Sequence, residues 1–215
     1  MPDVAHIAVR ERPIIFDAES VRAILDGSKS QTRRVVKRTD AGRVKAPGTA
    51  RNWHLDDPDA VKACPYGVPG ERLWVRETWG AVSPDEHVRP LRECAIEYRA
   101  DSGASHPGGW DNAPDDAEAL RWRSPIHMPR WASRLTLEIT EVRVRRIQEI
   151  TDEEAIAEGV DDWAPLDGAR LTELARDVPR AQFHMRWDFL NARRGYSWDS
   201  NPWVWAITFT RLPHA

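Results

Sequence analysis

Alternating and helically spaced apolar positions divide this chain into readable stretches, separated by polar ones. RPIIF at 12–16 predicts a strand. DAESVRAILDG follows, with Val21, Ile24 and Leu25 at helical spacing, Asp17 or Ser20 to cap the start and Gly27 for a left-handed stop. Residues 28–34, SKSQTRR, are polar and predict a loop; residues 38–63 lack periodicity and predict a long loop or insertion. Pro69-Gly70 makes a turn, and ERLWVRETW at 71–79 alternates as a strand. That alternation puts Val75, Glu77 and Trp79 on one face and Trp74, Arg76 and Thr78 on the other. Residues 80–95 are irregular, Ile96–Tyr98 suits a short strand, and 101–121, rich in Gly, Pro and Asp, predicts a surface loop.

Further on, SPIHMPRW at 124–131 is expected to be extended, because Pro125 and Pro129 exclude a helix interior. RLTLEITEVRVRRI at 134–147 alternates as a long, half-exposed strand. Thr151–Gly159 predicts a short helix with Thr151 and Glu154 as a capping box, and 161–168 a loop. Residues 170–193 predict helix with a break at Pro179, and WVWAITFTRL at 203–212 a closing strand with Trp203 and Trp205 on one face. The order implies an α+β protein: a small mixed barrel with short flanking helices. One domain over 12–212 would carry insertions at about 38–68 and 101–123, after an N-terminal extension at 1–11.

Composition narrows the classes. In 215 residues, 41% hydrophobic and 30% charged side chains exclude a wholly disordered chain. No apolar run approaches the ~20 residues of a membrane-spanning helix, and MPDVAHIAVRERP at the start lacks a signal-peptide core, so the expected location is cytoplasmic. Two cysteines, Cys64 and Cys94, exclude both a disulfide scaffold and a four-cysteine zinc site. The net charge of −3 gives no global pull toward nucleic acid, so such binding would need a local patch. Of the 31 basic residues all but four are Arg, which a GC-rich genome accounts for, and which makes each Lys worth inspecting.

Several residues admit a chemical and a structural reading. The run Arg33, Arg34, Lys37, Arg38 is either a phosphate patch or a solvated face. Arg143, Arg145 and Arg146 either enlarge that patch or pair with the acidic helix after 151. Glu77 is either a buried functional carboxylate or a strand-end partner of an Arg, and it shares a face with Trp79. His127, Arg130 and Trp131 suit base stacking and phosphate contact, the alternative being that Trp131 fills the core. His54, His106 and His127 are scattered, so no metal and no cofactor is expected. Glu158 closes a helix just before Gly159, where the macrodipole disfavours an anion.

AILDGSKSQTRR at 23–34 resembles the signature of the ASCH superfamily, whose fold is a PUA-like β-barrel. PGERLWVRE at 69–77, ITDEEAIAEGV at 150–160 and WVWAITF at 203–209 follow in that superfamily's order. CPYG at 64–67, RETW at 76–79, YRAD at 98–101 and IHMPRWASR at 126–134 resemble a phage and prophage branch. The resemblance implies a scaffold for RNA or modified bases. One branch of it hydrolyses the acetyl amide of N4-acetylcytidine without metal, and matching its motif position by position makes Lys29, Thr32 and Glu158 the catalytic set. Thr32 would be the nucleophile, Lys29 the base if burial or neighbouring cations lower its pKa, and Glu158 the group that orients Lys29 or shuttles protons. Backbone N–H groups after Gly27 would serve the oxyanion.

The expected site joins the 28–34 loop, the 71–79 strand, the 126–131 segment and the 151–159 helix, with Arg33, Arg34, Glu77, Trp79, His127, Arg130 and Trp131 binding substrate. The expected partner is a modified nucleoside or RNA, and no membrane. A non-catalytic base- or RNA-binding module is the alternative. A ribonuclease ranks last, because no His pair or carboxylate cluster suits phosphodiester cleavage.

Overall fold

The computed structural model describes residues 9–37, 43–45, 52–82, 90–101, 122–160 and 178–213. Its centre is a five-stranded sheet of β1 (Glu11–Ile15), β2 (Gln31–Val35), β5 (Arg72–Arg76), β8 (Thr136–Arg146) and β9 (Trp203–Arg211), in the order β1-β5-β8-β9-β2. β1 and β5 are parallel; β5–β8, β8–β9 and β9–β2 are antiparallel. The strands expected at 12–16, 71–79, 134–147 and 203–212 thus share one sheet, the second of them over Arg72–Arg76 alone. The class is α+β with a mostly sheet core. The expected closed barrel is not: among the described residues β1 and β2 end the sheet and do not pair.

The predicted loop at 28–34 is corrected: from Gln31 onward it is β2, held against β9 from Gln31↔Thr208 to Val35↔Val204. Polar residues form this strand because it lies at the sheet's edge beside charged partners. The predicted loop at 38–63 holds a small hairpin of β3 (Arg43–Lys45) and β4 (Asn52–His54), then a 3₁₀ turn at Pro58–Ala63. The 71–79 strand breaks after Arg76, and Trp79–Val82 (β6) pairs instead with Ala95–Tyr98 (β7). The 124–131 segment is not extended, because its prolines open two 3₁₀ turns, Pro125–His127 and Arg130–Ala132. The predicted loops at 101–121 and 161–168, and helix over 170–177, lie outside the described residues except Asp101.

The long strand β8 carries a bulge at Thr140, between Ile139↔Phe209 and Glu141↔Thr208. Leu137 and Ile139 point into the core before it, and Val142 after it. The extra residue resets the period-two phase, so both apolar sets reach one core. Trp205, Ile207 and Phe209 join that core with Phe16, Val21 and Ile24, while Val204 faces a second one. The second core packs α2 (Asp152–Ala157) and α3 (Pro179–Asn191) on the sheet through Ala155, Phe183, Trp187 and Trp198. Pro179 opens α3, its ring suiting the first turn.

α1 (Ala18–Asp26) starts where Asp17 accepts the Ser20 N–H at 2.8 Å and stops at Gly27, φ 91°. Among the described residues no helix is long and apolar enough to cross a membrane, and no group of three or more His, Cys, Asp or Glu could hold a metal ion.

Candidate functional site

Two chain segments 129 positions apart meet where α1 hands over to β2. After Gly27 the Lys29 N–H bonds back to Ala23 O at 2.8 Å, and the Ser30 N–H to Ala157 O at 2.9 Å. Lys29 and Glu158 thus form a backbone bridge. Gly159 makes the approach possible: its φ is 72°, and a Cβ there would lie 3.0 Å from the Cβ atoms of both Ala23 and Lys29. α2 begins with the predicted capping box and ends with Glu158 as its C-cap. The helix dipole disfavours an anion at that place, and two cations compensate.

Lys29 Nζ donates to Glu158 Oε2 at 2.9 Å and to the Glu158 carbonyl at 2.7 Å. Arg33 Nη1 donates to the other oxygen, Oε1, at 3.1 Å. Arg33 Nη2 reaches Glu154 Oε2 at 2.6 Å, and Arg143 holds Glu154 Oε1 at 2.8 Å. Burial pushes the Lys29 ammonium below its ordinary range. Glu158 pulls it up, while Arg186 and Arg34 push it further down. Burial alone would raise the Glu158 carboxyl, but Lys29 and Arg33 more than offset this and hold it below the usual value. Arg33 cannot deprotonate, so Glu158 keeps a cation even when Lys29 is neutral.

A cavity of about 780 Å³ opens beside the outer edge of β2, with Lys29, Thr32 and Glu158 in its wall. Thr32 is 4% exposed. The opposite wall is α3, whose Phe183, Arg186, Trp187 and Leu190 face the space. Arg186 Nη2 donates to Ser20 Oγ at 2.8 Å and Asp17 Oδ1 at 3.2 Å, which ties α3 to the start of α1. Arg186 escaped the sequence reading, although its signal was present: a charge inside the helical stripe Phe183–Trp187–Leu190.

The remaining expected residues separate. Arg33 is a buried ion-pair residue rather than a free phosphate ligand. Arg34 lines the cavity, bonds to Ile15 O at 2.6 Å and lies 5.0 Å from the Phe16 ring. Glu77 lines none of this space: Arg134 grips it with two bonds of 3.0 and 3.1 Å. Burial raises its carboxyl against that pairing. Trp79 is buried with Met128 and Ala132, its face under Arg123, so it cannot stack a base. Trp79, His127 and Trp131 border a separate shallow hollow that shares no residue with the Lys29 cavity. Trp131 is 42% exposed and does not fill the core. Arg130 pairs with Glu11 at 2.8 Å. The single site expected from these segments is therefore two places.

The oxyanion expectation is also corrected. The N–H groups of Ser28, Lys29 and Ser30 are bound to Asp26, Ala23 and Ala157, so none is left for a ligand. Arg186, whose Nη2 bonds to Asp17 and Ser20, brings a guanidinium to the wall of the same cavity. Of the basic strand residues, Arg143 pairs with the acidic helix through Glu154, Arg145 with Glu149, and Arg146 lies over Trp203. Searches against protein-family models, curated proteins and solved structures found no match for this chain.

Proposed function

We propose that the chain is a PUA-like, ASCH-type domain whose Lys29 cavity hydrolyses the amide of an N4-acylated cytidine or a related modified nucleoside. One observation carries the reading: a lysine buried in a cavity wall with its Nζ fixed by Glu158, in a cavity that Thr32 also lines.

In this reaction neutral Lys29 takes the Thr32 Oγ proton as the oxygen attacks the acyl carbon. Arg186 stabilises the oxyanion. Collapse breaks the C–N bond, and the leaving amine takes the proton back from Lys29. Water then attacks the Thr32 ester, gives its proton to Lys29, and releases the carboxylic acid as Thr32 regains its hydrogen. Glu158 holds Lys29 in place through both steps, and Arg33 keeps Glu158 ionised.

The test is incubation of the purified chain with acylated and unmodified nucleosides, read by mass spectrometry. The expected result is release of acid from an N4-acylated cytidine. No cleavage of any acylated nucleoside, with binding retained, would transfer the cavity to the non-catalytic base-binding reading.

A further inference from the structure

The Lys29 cavity is cationic in a chain whose net charge is −3. Among the described residues six of its lining side chains are Lys or Arg, and two, Asp17 and Glu158, are acidic. Three of the cations are matched: Lys29 and Arg33 share Glu158, and Arg186 takes Asp17. The other three are Arg34, Lys37 and Arg194. Among the described residues no carboxylate pairs with any of them. Lys37 follows β2 and Arg194 follows α3, so two walls each bring a cation to the rim, and both are exposed. Arg34 lies between the rim and Lys29 along β2. Its Nε is buried without a partner, which leaves a donor unmet.

The interior beneath is of different chemistry. Tyr66 and Tyr196, both partly exposed, line it, and the volume lies within the roughly 300–1,000 Å³ of small-ligand sites. A flat base suits rings, and a dianion suits three unmatched cations.

We infer that the cavity takes its nucleoside with a phosphate attached, the phosphate sitting between Arg34, Lys37 and Arg194. This rests on the nucleoside reading above and adds the substrate class: a nucleotide, either free or at the end of an RNA.

Calorimetric titration of the full chain with cytidine, cytidine 5′-monophosphate and a short oligoribonucleotide ending in the same nucleotide tests it without requiring turnover. The monophosphate should bind about tenfold or more tightly than cytidine at low salt. That advantage should shrink as salt screens the rim. Lys37→Ala and Arg194→Ala, both at exposed positions, should each reduce the advantage by roughly two- to fivefold. Tightening by the monophosphate marks a free nucleotide, and tightening by the oligonucleotide alone marks an RNA end. Equal affinity for cytidine and its monophosphate, with hydrolysis of an acylated nucleoside intact, overturns the inference and leaves the enzyme reading standing. Phosphate-dependent binding with no hydrolysis does the reverse. Absence of binding by all three overturns the inference together with the nucleoside reading.

Discussion

Two buried glutamates in this molecule look alike in the sequence and behave in opposite ways. Glu158 and Glu77 are both below 10% exposed and both are held by a cation. Glu77 receives both bonds from one guanidinium, Arg134, and its carboxyl is raised by burial. Glu158 divides its oxygens between Lys29 and Arg33, and its carboxyl is lowered. The difference is the number of cations per carboxylate. One cation leaves burial in control. A second, permanent cation adds to Lys29 in holding the anion charged. Glu158 borders the Lys29 cavity and Glu77 does not.

The largest expected effect lies at Thr32. Thr32→Ala removes the hydroxyl and leaves the charges in place, so hydrolysis of an acylated cytidine should fall by about 10³-fold or more. Adding Lys29→Arg should hardly worsen it, since members of one catalytic unit are not additive. Retention of much of the rate in Thr32→Ala would place the nucleophile elsewhere.

Next comes the pair of carboxylates themselves. Glu77→Ala strands Arg134 half-buried, although Asp101 still holds it, and should cost about 3 kcal/mol in denaturant unfolding while leaving kcat within a few-fold. Glu158→Gln should instead depress kcat strongly. The pH dependence of stability should also differ in sign. The folded Glu158 carboxyl lies below its ordinary value, so its contribution is present above that value and lost as pH falls through the lowered one. The folded Glu77 carboxyl lies above its ordinary value, so its contribution is present in acid and lost as pH rises through the raised one. Unfolding free energies of Glu158→Gln and Glu77→Gln, each subtracted from the parent across pH 3 to 7 (roughly the span these groups cover), should slope oppositely. Parallel slopes would erase the distinction.

Smaller effects follow. Gly159→Ala asks a side chain to adopt φ 72° against Ala23 and Lys29, and should cost about 1–2 kcal/mol while loosening Lys29. Arg130→Ala breaks an exposed pair with Glu11 and should change stability by no more than about 1 kcal/mol and turnover not at all. Loss of turnover there would reconnect the two hollows that the structure separates.

Much of this was legible in the chain. The Asp17 cap, the Gly27 stop, the Thr151–Glu154 box and the strand pairings each carry a local signal that their neighbours do not contradict. The convergence of Lys29 with Glu158 was readable only through the resemblance, because nothing local links residues 129 positions apart. What failed did so for nonlocal reasons. SKSQTRR reads as a loop because its partners, β9 and Glu158, lie far along the chain. Alternation through 71–79 hid the break after Arg76, and with it the burial of Trp79 against Met128. Arg33 looked like a surface cation because its matching carboxylates, Glu154 and Glu158, are on a distant helix end.

The central claim is that Lys29 serves as a neutral base in the Thr32 cavity, and the pH dependence of hydrolysis by the parent and by Lys29→Arg tests it most directly. On an N4-acylated cytidine, kcat/KM of the parent should rise with pH on a limb lying below the ordinary lysine range, since burial lowers Lys29. Lys29→Arg keeps the charge but cannot give up its proton, and should be inactive throughout. Appreciable hydrolysis by Lys29→Arg, or a parent that cleaves the substrate with no rising limb, would contradict the account.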